Sequence, residues 1–310
     1  MRFHVSDQEL NNLLVEILQY GGGFNVVLTG HDSSYKTVVF DDTILPEDIE
    51  NIYNLGVRNL SVTQYEMALL TKLKKLAYIR FVASKFYGDV FAPLKNSMIC
   101  ELYIAYSEVE GISGRSVPKL KNLEVLGLTH SVIPDEFYKE CNSLNINDLG
   151  ISEIPVRVEN LKNMLPLPNL LSLMLLDTRV GDDITDFLDE LPYLETLIIS
   201  FSLPNEMRCE FIRNMKNTDN IEIMEIRNTN VDDDILSAIT RFKNLTSLTI
   251  RNSKITKDSI PMLKAFADGK RSIRIKNDDG VIFDSKSDWM YEDSHLEHSE
   301  DDSQNQHNDD

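Results

Sequence analysis

The stretch NLTSLTIRNSKI, residues 244–255, carries apolar side chains at Leu245, Leu248, Ile250 and Ile255 and a hydroxyl at Ser253. A half-buried strand would alternate apolar and polar residues throughout, and an amphipathic helix would repeat its apolar residues every three or four positions. The stretch follows neither pattern over its whole length. It predicts a short strand of alternating side chains that runs into a turn at the hydroxyl residue.

The same spacing recurs along most of the chain. When the second apolar anchor of each copy is aligned, the intervals run from 19 to 27 residues and centre near 24. A constant period of about 20–29 residues indicates a solenoid of stacked repeats. Four further clear copies are NLEVLGLTHSVI (122–133), NLLSLMLLDTRV (169–180), YLETLIISFSL (193–203) and NIEIMEIRNTNV (220–231). The predicted anchors are Val38, Leu60, Ile79, Leu102, Leu126, Leu149, Leu173, Leu197, Met224, Leu248 and Ile273.

Over about residues 35–280 the chain resembles the leucine-rich repeat family. The copies TRVGDDITDFLDELPYLETLIIS (178–200) and TNVDDDILSAITRFKNLTSLTI (229–250) look most like repeats of the type T-x-V-x-D-x-x-L. The resemblance implies an α/β fold, a right-handed horseshoe-shaped solenoid with a parallel concave sheet and short convex helices. Since no single copy can bury its apolar residues alone, we expect stability to come from stacking neighbours.

The small polar position of each copy departs from the asparagine that is frequent in the family. A hydroxyl has one donor hydrogen, whereas an asparagine amide has two and can also accept along the stack. We expect the same role in satisfying backbone groups, with fewer bonds per turn. Ile154 and Tyr65 interrupt this column. The hydroxyl residues are Thr43, Ser84, Ser107, Ser131, Thr178, Ser202, Thr229 and Ser253.

Helical spacing follows the strand in the two clearest copies. Both segments begin with aspartates, which we expect to cap the first turn and face the positive end of the helix dipole. Their apolar residues fall on one face, which we expect to be buried. These residues are Ile184, Phe187, Leu188 and Leu191 in one copy, and Ile235, Leu236, Ile239 and Phe242 in the other.

The two ends of the chain differ from the repeats. Residues 1–34 are predicted to form an N-terminal cap. The cap would contain an amphipathic helix, which begins with a capping box of Ser6 and Glu9, and then a strand in FNVVLTG. Residues 35–283 form the predicted solenoid of about eleven repeats. Residues 284–310 are acidic, polar and poor in aliphatic side chains. This composition predicts a disordered acidic tail.

The charge balance limits the classes of partner. A net charge of −19 in 310 residues argues against nucleic acids and against anionic membrane surfaces, because both are bound mainly through lysine and arginine. The three distant cysteines, Cys100, Cys141 and Cys209, predict reduced thiols in an intracellular protein. We expect a cytoplasmic location, with the nucleus as the alternative.

Catalytic patterns are not found in the sequence. The GGG at 21–23 lacks the lysine and hydroxyl of a phosphate-binding loop, and no H-E-x-x-H, C-x-x-C or G-x-S-x-G pattern occurs. His295, His298 and His307 are interpreted as solvated tail residues rather than metal ligands. We therefore predict a protein without catalytic, cofactor-binding or metal-binding residues.

The concave strands supply the predicted binding surface. In the copy anchored on Leu60, the exposed positions would be Asn59, Ser61 and Thr63. Four cations should lie together beside an apolar group, a composition typical of protein-binding surfaces. We expect them to receive an acidic or phosphorylated segment of a partner; alternatively, they balance neighbouring acids, including those of the tail. The predicted partner-binding residues are Tyr78, Arg80, Tyr103, Met174, Leu176, Ile198, Arg227, Arg251, Arg274 and Lys276.

The sequence thus favours a non-catalytic module that binds another protein through its concave face. The alternatives are regulatory subunits: a ubiquitin-ligase substrate adaptor, a regulator of a GTPase, or an acidic-tailed nuclear regulator. No ligase-docking segment is recognisable. The repeats are also shorter than the roughly 28-residue repeats of the solenoids that activate GTPases. The oligomeric state is left open.

Overall fold

A computed structural model describes residues 26–29, 35–38, 52–201, 209–269, 271–277 and 280–285. Within these residues thirteen strands form one sheet and three very short strands form a second. The strands are β1 Val26–Thr29, β2 Tyr35–Val38, β3 Ile52–Arg58, β4 Ser61–Val62, β5 Tyr78–Val82, β6 Lys85–Phe86, β7 Glu101–Ala105, β8 Glu108–Val109, β9 Val125–Thr129, β10 Asp148–Ser152, β11 Ser172–Thr178, β12 Thr196–Phe201, β13 Ile223–Arg227, β14 Ser247–Ser253, β15 Ser272–Asn277 and β16 Gly280–Asp284.

Short helices connect most of the strands of the large sheet. The α-helices are α1 Gln64–Leu70, α2 Asp135–Glu140, α3 Val158–Met164, α4 Thr185–Asp189, α5 Phe211–Asn214, α6 Asp233–Ser237 and α7 Ile260–Ala267. The 3₁₀ segments are Ala92–Leu94, Gly111–Lys119, Asp182–Ile184, Ala238–Arg241 and Lys257–Ser259. Strand and helix alternate as expected for an α/β solenoid, in which every crossover returns the chain to the next parallel strand.

Parallel pairing brings equivalent repeat positions into register. Leu173 lies opposite Leu149 on one side and Leu197 on the other, and all three are buried. The same parallel pairing joins ten strands of the large sheet: β3, β5, β7 and β9 to β15. The structure confirms nine of the eleven predicted anchors in this register: Ile79, Leu102, Leu126, Leu149, Leu173, Leu197, Met224, Leu248 and Ile273.

The predicted anchor at Leu60 is wrong by five residues. Leu55 pairs with Ile79, whereas Leu60 and Val62 lie after the strand, and Val62 pairs with Phe86 in the second sheet. The segment contains two successive L-x-V pairs, and both are buried, so hydrophobic spacing alone did not distinguish them. The exposed strand positions are therefore Asn54, Gly56 and Arg58, in place of Asn59, Ser61 and Thr63.

The strand that contains Val38 is not a repeat of the parallel ladder. β2 pairs antiparallel with β1, and β1 pairs antiparallel with β3. β16, which the sequence did not predict, pairs antiparallel with β15. Antiparallel strands thus flank the parallel ladder at both of its described ends. The predicted N-terminal helix and nearly all of the tail lie outside the described residues, and the domain boundaries stay predictions.

The return segments bury the predicted faces. All eight apolar residues of the two helical stripes are buried against the back of the sheet. Asp232 caps α6, because its carboxylate accepts a hydrogen bond from the Ile235 amide at 3.0 Å. The expected cap of the other segment is wrong: Asp182 instead accepts from the amide of Glu210 in the following repeat, at 2.8 Å.

A column of buried serines connects successive repeats. The Ser107 hydroxyl accepts a hydrogen bond from the Ser84 amide at 3.0 Å and donates to the Ala105 carbonyl at 2.7 Å. Ser131 repeats the arrangement one turn later, accepting from the Ser107 amide. The backbone role expected of the hydroxyl residues is confirmed at these positions. Leu60, not Tyr65, occupies the position before Ser84, and its amide donates to the Ser84 hydroxyl.

Eight of the ten parallel strands share one backbone conformation at or near their C-terminal ends. Four residues after the anchor, the chain enters the left-handed region, with φ between 47° and 56°. Such a conformation costs about 1–2 kcal/mol for a side chain other than glycine, so the stacked neighbours must impose it. The residues are Asn59, Ala83, Tyr106, His130, Glu153, Asp177, Asn228 and Asn252.

Replacing Leu173 with alanine should lower the free energy of unfolding by about 2–5 kcal/mol, because it leaves a cavity where three strands share one buried layer. The matched control is Met174→Ala, on the next residue of the same strand and on its opposite, exposed face. We expect the control to cost less than about 1 kcal/mol. Urea denaturation followed by circular dichroism measures both, and equal costs would contradict the assignment of faces.

Ser107→Ala should destabilise the protein by about 1–3 kcal/mol. It leaves the buried Ser84 amide without its acceptor and removes the hydroxyl that donates to the Ala105 carbonyl. Ser61→Ala, at an exposed position of β4, is the control. Urea midpoints of the two variants should differ clearly. If the Ser107 variant matches the wild type, the hydroxyl column does not support the stack.

Candidate protein-binding face

One face of the parallel sheet points away from the buried anchors and the helices. Alternate side chains of a strand point to opposite faces, so the residues between and beside the anchors line this side. We call it the open face. Its central column contains Gly56, Arg80, Tyr103, Gly127, Gly150, Met174, Ile198, Glu225, Thr249 and Arg274.

The structure places all ten predicted binding residues on the open face, in two groups. Tyr78, Arg80 and Tyr103 lie on β5 and β7. The remaining seven lie on β11 to β15. Two strands, β9 and β10, separate the groups, and at about 4.8 Å per strand the nearest members lie roughly 14 Å apart across the sheet. The predicted binding residues therefore form two patches.

The first group is an aromatic pair. The Tyr78 and Tyr103 rings stack with centroids 5.1 Å apart at an angle of 30°. The Tyr103 hydroxyl donates to Oε2 of Glu101 at 3.2 Å. Partial burial, together with the neighbouring Glu101 carboxylate, raises the pKa of Tyr103 to about 12. The hydroxyl is therefore protonated at neutral pH and acts as a hydrogen-bond donor.

The Tyr103 ring lies directly over Gly127. A Cβ atom at Gly127 would lie 2.4 Å from Cδ1 of Tyr103, so only glycine allows this ring to lie flat on the sheet. At Gly150, the next residue in the column, a Cβ atom would meet nothing within 4 Å. The open face consequently leaves room above Gly150, between Tyr103 and Met174.

The second group begins with apolar side chains. Met174, Leu176 and Ile198 lie on the adjacent strands β11 and β12. Ile223 on β13 extends them, with 41% of its surface exposed, and Met174 is 36% exposed. Buried apolar anchors at the centre of an interface contribute most of its binding energy, so this group is suited to receive an apolar side chain of a partner.

The cations follow immediately. Arg227 pairs in register with Arg251 on the neighbouring strand. Nε of Arg227 lies 2.7 Å from Oε1 of Glu225, and Nε of Arg251 lies 3.6 Å from the same oxygen. One carboxylate thus orients two guanidinium groups side by side. Such a fixed pair suits bidentate contacts to carboxylates or phosphates.

The last two cations lie on β15. Nε of Arg274 forms an ion pair with Oδ2 of Asp284 at 3.0 Å, and Lys276 follows two residues later. Glu225 and Asp284 therefore offset part of the charge of the four cations. The alternative interpretation, in which the cations balance neighbouring acids, is partly realised. Asp284 is also the first residue of the predicted tail.

The predicted binding residues leave out three charged residues that the structure places at this face. Arg58 is exposed on the open face of β3, and the register error at Leu60 concealed it. Glu225 is two residues before Arg227 on one strand, a spacing that puts both on the same face, so the pair was detectable in the sequence. Asp284 was not, because its position depends on the antiparallel pairing of β16.

In the described part of the chain, little supports a reactive thiol, a metal site or a membrane-spanning helix. The three cysteines are free, and burial raises the pKa of the Cys141 and Cys209 thiols, which disfavours reactive thiolates. No cluster of three or more histidine, cysteine, aspartate or glutamate side chains suited to a metal occurs among the described residues. Among the same residues, no helix has the length and apolar character needed to span a bilayer.

Two substitutions should show that Gly127, and not Gly150, is needed for the Tyr103 ring to lie on the sheet. Gly127→Ala must push the Tyr103 ring off the sheet and break its stack with Tyr78, a loss of about 0.5–1.5 kcal/mol. Gly150→Ala, in open space, should be neutral or stabilise the strand by about 0.5–1 kcal/mol. Near-ultraviolet circular dichroism reports the tyrosines and urea midpoints report stability. Identical spectra for the two variants would contradict the ring placement.

Neither a family model nor a curated protein sequence matches this chain. Among solved structures it is similar to an internalin, InlF from Listeria monocytogenes, at 18% identity over 73% of this chain and 61% of that one, with a TM-score of 0.44. Listeria monocytogenes InlP gives 15% identity over 80% and 65%, with a TM-score of 0.44. The chain thus spans less than two thirds of either Listeria protein.

A third similar structure is the octameric complex of Latrophilin 3, Unc5D and the leucine-rich repeats of FLRT2. Identity is 15% over 74% of this chain and 84% of that one, with a TM-score of 0.39. The fold assignment does not depend on these likenesses, since it follows from the repeat and its pairing. The period of the anchors, the parallel register of the strands and the helices that return between them identify the fold as a leucine-rich repeat solenoid.

Proposed function

We propose that this protein is a non-catalytic interaction module that binds an acidic or phosphorylated segment of another protein on its open face. One observation carries the proposal. A pair of oriented arginines, Arg227 and Arg251, lies beside exposed apolar side chains in a chain whose net charge is −19. A cationic patch on an acidic protein attracts anionic segments locally while the rest of the surface repels them.

The order of the groups across the sheet suits an extended segment. From β11 to β15 the open face changes from Met174 and Ile198 to Arg227 and Arg251, and then to Arg274 and Lys276. A bound segment that crosses these strands would place an apolar residue first and acidic residues after it. Apolar burial would supply much of the affinity, and the arginines would select for carboxylates or phosphates.

Glu225 has a specific part in this function. It is only 18% exposed at its side chain and contacts both Arg227 and Arg251, so it limits the rotamers of the two guanidinium groups before any partner arrives. Preorganisation of this kind lowers the entropy that binding costs. We expect Glu225 to improve recognition although its own charge opposes an acidic ligand.

Removing the two charges should abolish most of the binding. We expect Arg227→Gln with Arg251→Gln to weaken the affinity for a fluorescein-labelled poly-glutamate peptide at least about tenfold, because each lost charged hydrogen bond contributes about 1.5–3 kcal/mol. Glutamine is used because glutamate would place three carboxylates together around Glu225. Fluorescence anisotropy measures the affinity, which should also fall as salt is raised.

The matched control changes the same total charge elsewhere. Lys243 and Lys264 are exposed and lie outside the strands of the open face. Lys243→Gln with Lys264→Gln should keep wild-type affinity for the peptide. The same three proteins, used to capture partners from an extract of the native cells, should show partners that only the arginine variant fails to retain. Equal binding by all three proteins would contradict the proposal.

A further inference from the structure

The segment that follows the last described residue has the chemistry expected of a ligand for the open face. Residues 286–310 contain nine acidic residues and one lysine, a net charge of −8. The segment also contains Trp289, the single tryptophan of the chain, followed by Met290 and Tyr291. An apolar cluster with carboxylates on both sides, Asp288 before it and Glu292 and Asp293 after it, has groups that complement the apolar side chains and the cations of the open face.

The chain enters this segment beside the cations. β16 pairs with β15 at the edge of the sheet, and Asp284 already forms an ion pair with Arg274 at 3.0 Å. Ser285 is fixed to the same edge: its amide donates to the Ile273 carbonyl at 2.9 Å, and its hydroxyl donates to the Arg271 carbonyl at 2.8 Å. The segment therefore starts one to three strands away from the four cations and Ile223.

The reach of the segment fits the spacing of the strands. From β16 to β13 there are three strand spacings, about 14 Å. The four residues from Ser285 to Trp289 span about 13 Å when extended. Trp289 can thus reach Ile223, the exposed apolar residue of β13. The carboxylates of Glu292 and Asp293 come next and can reach Arg227 and Arg251.

We propose that residues 286–310 bind the open face of their own chain, with Trp289 against the apolar group and the following carboxylates against Arg227, Arg251 and Lys276. An acidic partner must then displace this segment. The competition rests on the function proposed above, whereas the intramolecular contact does not. Because the segment is tethered, its effective concentration at the face is high even when each contact is weak.

The expected consequence is a lowered apparent affinity for external ligands. If the segment occupies the face nine tenths of the time, an acidic peptide binds roughly tenfold more weakly than to the open state. Charge provides the selectivity, because a neutral or basic ligand gains nothing from the arginines and cannot displace the segment in this way. High salt should release the segment.

The single tryptophan makes the contact directly measurable in the full chain. With selective excitation of Trp289, we expect blue-shifted emission and protection from acrylamide quenching in the wild type. Arg227→Gln with Arg251→Gln should shift the emission to the red and restore quenching, whereas Lys243→Gln with Lys264→Gln should not. Far-ultraviolet circular dichroism verifies that the variants fold.

Three outcomes would overturn the proposal. Trp289 quenched as fast as N-acetyltryptophanamide in the wild type, or protected equally in the arginine variant, excludes docking on the cations. Protection that grows with protein concentration assigns the segment to a neighbouring copy and excludes the intramolecular contact. None of these outcomes depends on poly-glutamate binding, so failure here is distinguishable from failure of the proposed function.

A second variant tests the competition itself. Trp289→Ser with Glu292→Gln and Asp293→Asn removes the proposed contacts without touching the open face. We expect poly-glutamate to bind this variant severalfold more tightly than the wild type. Unchanged affinity would show that the segment does not compete for the arginines.

Discussion

Register between neighbouring repeats is the constraint on which this structure depends. Each copy contributes two or three aliphatic anchors that only the adjacent copies can bury, so Leu149, Leu173 and Leu197 must lie side by side for any of them to leave water. The strand alternation that buries these anchors also forces the intervening side chains onto the opposite face. A continuous open face is therefore an unavoidable product of the core, and its chemistry is free to vary.

Charged side chains are unevenly distributed over that face. The chain is acidic as a whole, yet arginine or lysine occurs on the open face of β13, β14 and β15. Glu225 and Asp284 do more than reduce the local charge, because each contacts a guanidinium group through Nε and so fixes its direction. A surface prepared in this way favours an anionic ligand. The acidic residues that follow Ser285 in the same chain carry such a charge, and this links the proposed function to its proposed regulation.

Features that repeat along the chain could be predicted from the sequence, whereas features that depend on which strands pair could not. Buried anchors and helical faces repeat at a fixed period, so nine anchors and both apolar stripes were predictable. The copy around Leu55 and Leu60 offered two equivalent apolar pairs, and the choice between them depended on pairing with Ile79. That one error concealed Arg58. The antiparallel direction of β2 was not recognised and β16 was not predicted, because a lone short strand shows no preference for a direction.

From Ile79 to Ile273, the sequence by itself determined which anchors are buried, which residues lie on the open face and the order of charges along it, because these follow from a local two-residue alternation and a long-range period. The tertiary structure alone decided the contacts between side chains: the Tyr103 ring over Gly127, the two arginines around Glu225 and Asp284 against Arg274. Such contacts depend on rotamers and on the direction of neighbouring strands, and no pattern along a single chain encodes either of them. The charge and shape of the open face reside in those contacts.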